Sequence, residues 1–318
     1  MAKIFIDGSA GTTGLRIYER IAERPELEVI RLSEEKRKDP AARAEALNQA
    51  DIAFLCLPDA AAIEAVGMVT DPDTVIIDTS TAHRVADGWT YGFAELHRAE
   101  QIAAAKRIAN PGCHASGFIS LAAPLVEAGI IPEDLALSCF SLTGYSGGGK
   151  KMIAEYEAEG RDPLLDAPRM YGLTQKHKHL PEMAKISGLR NDPVFCPIVA
   201  PYYAGMEVVI PLHRAELSLA GIGEKSVPEA IREVYRTFYH GSSLIHVLGE
   251  EPMMEGGYLS AGAFSGRDDM EISVAGGEDR ILLISRFDNL GKGASGAAIQ
   301  NMNLVLGVPE TTGLVIGG

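Results

Sequence analysis

Cys113 stands behind an Asn110-Pro111-Gly112 turn and directly before His114. The stretch from Ala115 to Ala128 carries Phe118, Leu121, Ala122, Leu125 and Val126 at helical spacing and stops at Gly129. That pattern predicts a helix opening at or just after the cysteine. Unpaired N–H groups and the helix dipole at such an end favour a thiolate. An ordinary thiol is only about 3% ionised at neutral pH, so this placement matters for reactivity. A cysteine so held can take an acyl or aldehyde carbon onto its sulfur. The competing reading is a buried cysteine that merely fills space.

Carbonyl chemistry on sulfur also wants a proton carrier and a grip for an anion. The run His177-Lys178-His179-Leu180-Pro181-Glu182 offers two histidines. They share a side if the backbone is extended and do not if it is helical. No further ligand cluster accompanies them, so a metal site is not expected. Arg84 closes the segment Asp78-Thr79-Ser80-Thr81-Ala82-His83-Arg84, and its planar fork matches a phosphate or a carboxylate. Ser141 to Lys150 is rich in glycine and ends on a cation, which suits backbone lying against a ligand. Asn289 to Gly296 is built of small residues and opens a helical tail over Gly293 to Leu306.

These groups need a scaffold. Apolar runs at Lys3 to Asp7, Leu27 to Leu32, Asp51 to Leu57 and Thr74 to Asp78 read as strands. Between them lie a helix with Leu15, Tyr18, Ile21 and Ala22 on one face, and helices at Pro40 to Gln49 and Ala60 to Val69. Alternating continuous apolar strands and helices mark a parallel sheet covered on both faces. Gly8-Ser9-Ala10-Gly11-Thr12-Thr13-Gly14 joins the first strand to the first helix. Glycines there permit a tight turn and a close approach to a pyrophosphate, so the loop points to a dinucleotide. Where an NAD site usually carries an acid, the chain has Arg31-Leu32-Ser33 and then Lys36-Arg37-Lys38. Basic groups and a hydroxyl suit a 2′-phosphate, hence NADP, although Glu34 or Glu35 offers the acidic alternative.

Beyond the cysteine helix the rhythm changes. Leu135 to Leu142, Val208 to Pro211, Glu216 to Ala220, Leu259 to Phe264, Glu271 to Ala275 and Arg280 to Arg286 read as strands, with one clear helix over Val227 to Tyr239. The expectation is α/β overall: a Rossmann-type parallel sheet nucleotide domain plus an α+β catalytic domain with a mixed or antiparallel sheet. Its length of 318 residues suits two domains. A net charge of -14 argues against nucleic acid and anionic membranes as partners. No apolar run is long enough for a membrane span. Met1-Ala2-Lys3 leads straight into a strand, so a secretory leader is not expected. Cys56, Cys113, Cys139 and Cys196 are far apart, with Cys56 and Cys139 in core-like runs; a reduced, cytoplasmic protein is expected.

Taken together, GSAGTTG (8–14), DTSTAHR (78–84), NPGC (110–113), TGYSGGGK (143–150), HKHLPE (177–182) and NLGKGASGAAIQNMN (289–303) resemble the short-form N-acetyl-γ-glutamyl-phosphate reductases. Aspartate-semialdehyde dehydrogenase and glyceraldehyde-3-phosphate dehydrogenase are the wider relatives. The resemblance runs from Lys3 to about Gly307. It implies Cys113 as nucleophile and His179 as acid/base, with Arg84, Asn110, Lys150 and His177 toward the substrate. Cofactor contacts are expected from Gly8, Ser9, Gly11, Thr12, Thr13, Gly14, Ser33, Lys36, Arg37, Ser80, Ser146, Gly147 and Asn289. The last helix would return to the nucleotide domain, giving 1–112 with 293–318 as the NADP-binding domain and 113–292 as the catalytic and oligomerisation domain. DTSTAHR departs from the longer branch, and Lys150 stands where arginine is frequent. The implied activity is NADPH-dependent reduction of an acyl phosphate through a cysteine thioester, in a homodimer or homotetramer. Backbone N–H groups around Cys113 would hold the oxyanion.

Two rival readings remain at this level. One is a reductase of aspartyl or aminoadipyl phosphate, separable by a substrate panel. The other is a non-catalytic NADP(H)-binding redox sensor using Cys113, for which no resolving cysteine lies close in sequence. The sequence alone does not choose between His177 and His179 as proton carrier.

Overall fold

Apolar runs without polar alternation need cover on both faces, and the first unit of the chain supplies it. The computed structural model describes residues 1–220, 225–249 and 256–317. The first unit comprises Met1–Gly112 and Ala294–Leu314, and the second Cys113–Gly293 with the segment that begins at Val315. In the first unit β1 (Ala2–Asp7), α1 (Thr12–Ala22), β2 (Leu27–Ile30), α2 (Pro40–Gln49), β3 (Ile52–Leu55), α3 (Asp59–Met68) and β4 (Val75–Asp78) alternate. They are followed by β5 (Thr90–Tyr91), α4 (Ala99–Ala104) and β6 (Arg107–Ala109). The strands pair in parallel in the order β2-β1-β3-β4-β6-β5. Ile4, Ile6, Phe54 and Ile77 pack on one face with Ile17 and Ile21 of α1. Phe5, Ala53, Leu55 and Ile76 pack on the other with Leu47 and Ala62 of α2 and α3.

The second unit opens with α5 (Cys113–Glu127), which is buried on nearly every side. Then come β7 (Ser138–Gly144), α6 (Gly149–Glu157), β8 (Arg169–Met170), α7 (Leu180–Ser187), β9 (Val194–Ala200) and β10 (Met206–His213). The rest is α8 (Val227–Phe238), β11 (Ile245–Val247), β12 (Met270–Gly276) and β13 (Arg280–Phe287). The sheet order is β11-β12-β13-β10-β7-β9-β8. Pairs β7–β9 and β11–β12 are parallel and the others antiparallel, so the sheet is mixed. Gly117 brings α5 against this sheet: an added Cβ would run into Val208 and stand 2.8 Å from the Phe287 ring. The last helix, α9 (Gly296–Leu306), belongs to the first unit, where Ala298, Ile299 and Met302 join the core of Ile4 and Ile77.

Several local expectations need correction. Glu216 to Ala220 is not a strand: Glu216 accepts from the His213 N–H at 2.9 Å and closes a 3₁₀ turn over Arg214–Glu216. Leu259 to Phe264 is a run of turns, because the Ser260 hydroxyl and carbonyl accept from the Gly262 and Ala263 N–H groups. Leu15 is 42% exposed and Ala22 is also exposed; the face of α1 that packs carries Gly14, Ile17 and Ile21. Strand β9 escapes a pattern search because Pro197 sits inside it. That proline lies beyond the two-residue ladder of β8, so its missing N–H costs no bond there. By its contacts the segment from Val315 sides with the second unit, although the sequence assigns it to the first. Val315 donates to Asp268 Oδ2 at 2.8 Å and its carbonyl accepts from the Asp268 N–H at 2.7 Å.

Candidate active site

Cys113 is the first residue of α5 and is partly buried. A Cβ on Gly293 would approach its Cβ to 2.9 Å, so that glycine makes room for it. His114 follows and is buried against four aromatic rings. Its Nδ1 lies 2.7 Å from Ser141 Oγ and its Nε2 lies 2.6 Å from the Tyr171 hydroxyl. Its ring centroid is 5.7 Å from each of His177 and His179, and 5.2 Å from Phe195. The segment carrying His177 and His179 is not helical, and their rings meet edge to face at 4.7 Å. The His179 N–H donates to His177 Nδ1 at 3.2 Å, so one ring braces the backbone of the other. Burial, with a smaller contribution from His177, pushes His114 down to about 3. His114 is therefore neutral near pH 7 and does not titrate there. Tyr171 is pushed up from the usual phenol range by burial and by the nearby Cys113 charge. Among the described residues no group of three His, Cys, Asp or Glu could hold a metal ion.

The glycine loop after β7 also gathers expected groups. Asn289 donates to Ser146 Oγ at 3.0 Å and accepts from the Gly205 N–H at 2.9 Å. A Cβ on Gly147 would stand 3.5 Å from the same Asn289 amide. Ser146, Gly147 and Asn289 thus form one cluster. Lys150 lies on the first turn of α6 and is exposed.

In the first unit the loop from Gly8 to Gly14 is shaped by its glycines. Gly8 has φ +88°, and a Cβ there would collide with the Cys56 carbonyl. A Cβ on Gly14 would stand 2.5 Å from the Gly8 carbonyl. Gly11 caps α1 without a side chain. Thr12 and Thr13 start that helix. Beside the loop is a cleft of about 730 Å³ whose lining includes Gly8, Ser9, Leu15, Tyr18, Arg31 and Arg37. Lys38 also lines it, whereas Ser33 and Lys36 do not and are exposed. The Ser33 hydroxyl instead donates to Glu35, and Arg37 pairs with Glu34 at 2.9 Å. Asp7 at the end of β1 is held by Arg43 at 2.9 Å, while burial raises its carboxyl above the usual range.

The turn after β4 is organised by Asp78, which is fully buried. Its carboxylate accepts from the Ser80 N–H at 2.9 Å and the Ser80 hydroxyl at 2.7 Å, and meets His83 Nδ1 at 2.6 Å. Arg84 is buried, with Nε donating to the Asn110 carbonyl at 3.0 Å and an Nη to the Thr79 carbonyl at 3.1 Å. Asn110 itself donates to the Ala294 carbonyl at 3.0 Å and accepts from Asn301 at 3.1 Å. Within this unit both expected substrate contacts therefore tie down the residues leading to the cysteine.

Comparison with known proteins places the chain. Residues 3–105 match the family model described as semialdehyde dehydrogenase, NAD binding domain. Residues 113–289 match the one described as semialdehyde dehydrogenase, dimerisation domain. The chain is 42% identical over 323 residues to N-acetyl-gamma-glutamyl-phosphate reductase 2 of Nostoc sp., covering 98% of this chain and 99% of that protein. It is 45% identical over 310 residues to N-acetyl-gamma-glutamyl-phosphate reductase of Mesorhizobium japonicum, covering 96% and 99%. The chain belongs to the N-acetyl-γ-glutamyl-phosphate reductase family.

It is accordingly an oxidoreductase of the semialdehyde dehydrogenase type with an NAD(P)-binding domain. The fold agrees: aspartate semialdehyde dehydrogenase from Francisella tularensis superposes with a TM-score of 0.69 at 17% identity, over 96% of this chain and all of that one. Sequence reasoning on this reductase missed Tyr171, and read Ser141 only as the start of the glycine-rich stretch. Tyr171 sits in no motif and is 57 positions from His114. Arg31 and Lys38 belong to the basic run read toward a 2′-phosphate but not to the expected cofactor contacts. Among the described residues no helix is long and apolar enough to cross a membrane.

Proposed function

We propose that the chain reduces N-acetyl-γ-glutamyl phosphate to N-acetylglutamate semialdehyde with NADPH, as a cytoplasmic enzyme of arginine biosynthesis. The observation that carries this reading is the end-to-end similarity to curated reductases at 42–45% identity. The helix start at Cys113 supplies the chemistry. Its thiolate attacks the γ-acyl carbon, a C–S bond forms, and phosphate leaves with the C–O electron pair. N–H groups of the first turn of α5 stabilise the oxyanion. The reduced nicotinamide, when bound, supplies hydride for the thioester carbonyl. His179 gives a proton to the hemithioacetal oxygen as that oxygen becomes anionic and takes it back as the C–S bond breaks and the electron pair returns to sulfur.

The glycine loop fits a dinucleotide, because Gly8 and Gly14 let the turn close tightly on the Cys56 and Gly8 carbonyls just before the N-terminus of α1, where a pyrophosphate would sit. Arg31, Arg37 and Lys38 at the end of β2 support NADP over NAD, as cations suited to a 2′-phosphate. Arg84 and Lys150 remain our candidates for the substrate's anionic groups. The domains we assign are 1–112 with 294–314 for the nucleotide, and 113–293 with the segment from Val315 for catalysis.

We further propose a homodimer or homotetramer built on the open face of the second sheet. Phe140, 41% exposed, lies in register with Cys196 and Val209, and Leu282, 40% exposed, with Pro211. An apolar sheet face of this kind needs a partner. A monomer at micromolar concentration by light scattering would contradict it. The functional test is the phosphate-dependent reverse reaction with N-acetylglutamate, aspartate and aminoadipate semialdehydes. The first should lead in kcat/KM, and Cys113→Ser should lose essentially all turnover while still binding NADPH. Preference for another aldehyde, or an active serine variant, would overturn the reading.

A further inference from the structure

We propose that His177 is the positioning residue for His179, and that it fills this role only as a neutral ring with its proton on Nε2. The proposal rests on the reading of His179 as proton carrier, and it separates two histidines that spacing alone leaves interchangeable. Three observations carry it. The His179 N–H donates to His177 Nδ1 at 3.2 Å. The next N–H, of Leu180, donates to the His177 carbonyl at 3.1 Å. The His179 carbonyl accepts from the Met183 N–H at 2.9 Å and so begins α7. The main chain of His179 is thus held by His177 on one side and by the helix on the other.

The rings are packed as well. The His177 ring meets that of His179 at 4.7 Å between centres and 87° between planes, and His114 lies 5.7 Å from the His179 ring. His177 in turn packs on His114 at 5.7 Å, Phe195 at 5.1 Å and Tyr171 at 6.0 Å. Those contacts limit its rotation and keep Nδ1 on the turn.

Proton placement gives the roles. A backbone N–H can only donate, so His177 Nδ1 accepts and carries no proton. In the neutral ring the proton is then on Nε2, and Nδ1 holds the one basic lone pair. That lone pair is occupied by the His179 N–H. To take up a proton His177 must release His179, and the new ring N–H would face another donor. His177 therefore does not cycle a proton while His179 stays in place. His179 enters the turn through main-chain groups alone, and its side chain makes no cap bond to α7. The titratable groups around His177 are His114 of α5, His179 at the start of α7 and Tyr171 beyond β8, with exposed Lys176 and Lys178 on its own segment. Phe195 of β9 brings no charge.

The test compares two substitutions. Asparagine accepts from the N–H two residues on through its side-chain oxygen, as in an Asx turn. Leucine fills similar space and accepts nothing. Both lose the ring, so their difference isolates the acceptor. Measured in the full-length enzyme, His177→Leu should have a kcat about 10- to 100-fold below that of His177→Asn, with the KM for acyl phosphate within about threefold, since a shift of the carrier near 1 Å costs up to about 100-fold in rate. Both should keep the limb of the pH–rate profile near neutrality, because His179 still titrates. A second measurement is independent of activity: nitrogen-15 spectra of the histidine-labelled wild type, with the His177 ring signals identified by their loss in His177→Asn. At pH 8 they should show a protonated Nε2 and an unprotonated Nδ1. Equal kcat in folded Asn and Leu variants, loss of the limb in His177→Asn, or a proton on Nδ1 at pH 8 each overturns the proposal. If His177→Leu does not fold, the spectrum decides. A limb that survives in His179→Asn would instead overturn the reading of His179 as carrier, and the spectrum and the Asn–Leu comparison would still decide whether His177 holds its backbone.

Discussion

Gly293→Ala is the sharpest steric test of how Cys113, the proposed nucleophile, is held. The new Cβ would stand 2.9 Å from Cys113 Cβ, 3.1 Å from the Asp288 carbonyl oxygen and 3.2 Å from the Phe287 ring. Carbon atoms normally meet at roughly 3.5–4.0 Å, so the cysteine contact must open by about 0.6–1 Å. Helix α5 has little freedom to retreat, because Gly117 is already tight against β10 and β13. The strain therefore falls on the position of the sulfur. A misplacement near 1 Å costs about 100-fold in rate, or about 2.7 kcal/mol of transition-state stabilisation. The expected outcome is a kcat/KM lower by about 30- to 100-fold, with the loss falling mainly on kcat. Gly277→Ala is the control, with nothing within 4 Å of its added Cβ. Steady-state kinetics, cofactor titration and urea unfolding on both variants check this. A folded Gly293→Ala enzyme within twofold of wild type would refute the argument that this contact sets the sulfur.

Three further outcomes follow from the same geometry. His179→Asn should lower kcat by about 10²–10⁴ and remove a limb of the pH–rate profile near neutrality, whereas His177→Asn should be milder. If His177→Asn alone loses that limb, the two roles must be exchanged. Arg37→Ala should lower kcat/KM for NADPH about tenfold and leave NADH nearly unchanged, and an equal loss with both cofactors would remove Arg37 from the 2′-phosphate site. Buried His114 stays unprotonated down to about 3, while in the unfolded chain it protonates below its ordinary 6.5. Stability is thus lost as pH falls below 6.5, and between pH 7 and 5 the wild type should lose about 2 kcal/mol more than His114→Gln in urea unfolding. Equal losses would show that His114 is not held neutral.

The parallel sheet was legible because both faces of its strands are buried, leaving apolar runs that no other element mimics. The second sheet was legible only in part. Its strands alternate inner and outer residues, and Pro197 in β9 breaks the pattern where ladder bonds are not needed. The apparent strands at Glu216 and Leu259 failed for a different reason. Side-chain acceptors on Glu216 and Ser260 offered the backbone local turns that compete with pairing. On α1, a helical spacing located Leu15 without saying which side was the core, and the residue faces the cleft instead.

The site divides along the same line. Cys113 stood out as the candidate nucleophile because the features that point to it, its turn and its helix, are contiguous in sequence. Arg84 illustrates the opposite. Its residue type suggests an anion grip, yet inside the first unit two of its donors go to backbone carbonyls of Thr79 and Asn110. Asn110 in turn is bonded to Ala294 and Asn301 of the chain's last segment. Arginine is suited to such bracing because its planar fork satisfies two carbonyls at fixed angles. Lysine would keep the charge and lose the fork. Loss of the fork loosens the chain three residues before Cys113, whereas loss of a phosphate grip weakens substrate binding. The two roles therefore predict different kinetic signatures for the same Arg84→Lys change: a fallen kcat for the brace, a raised KM for the grip.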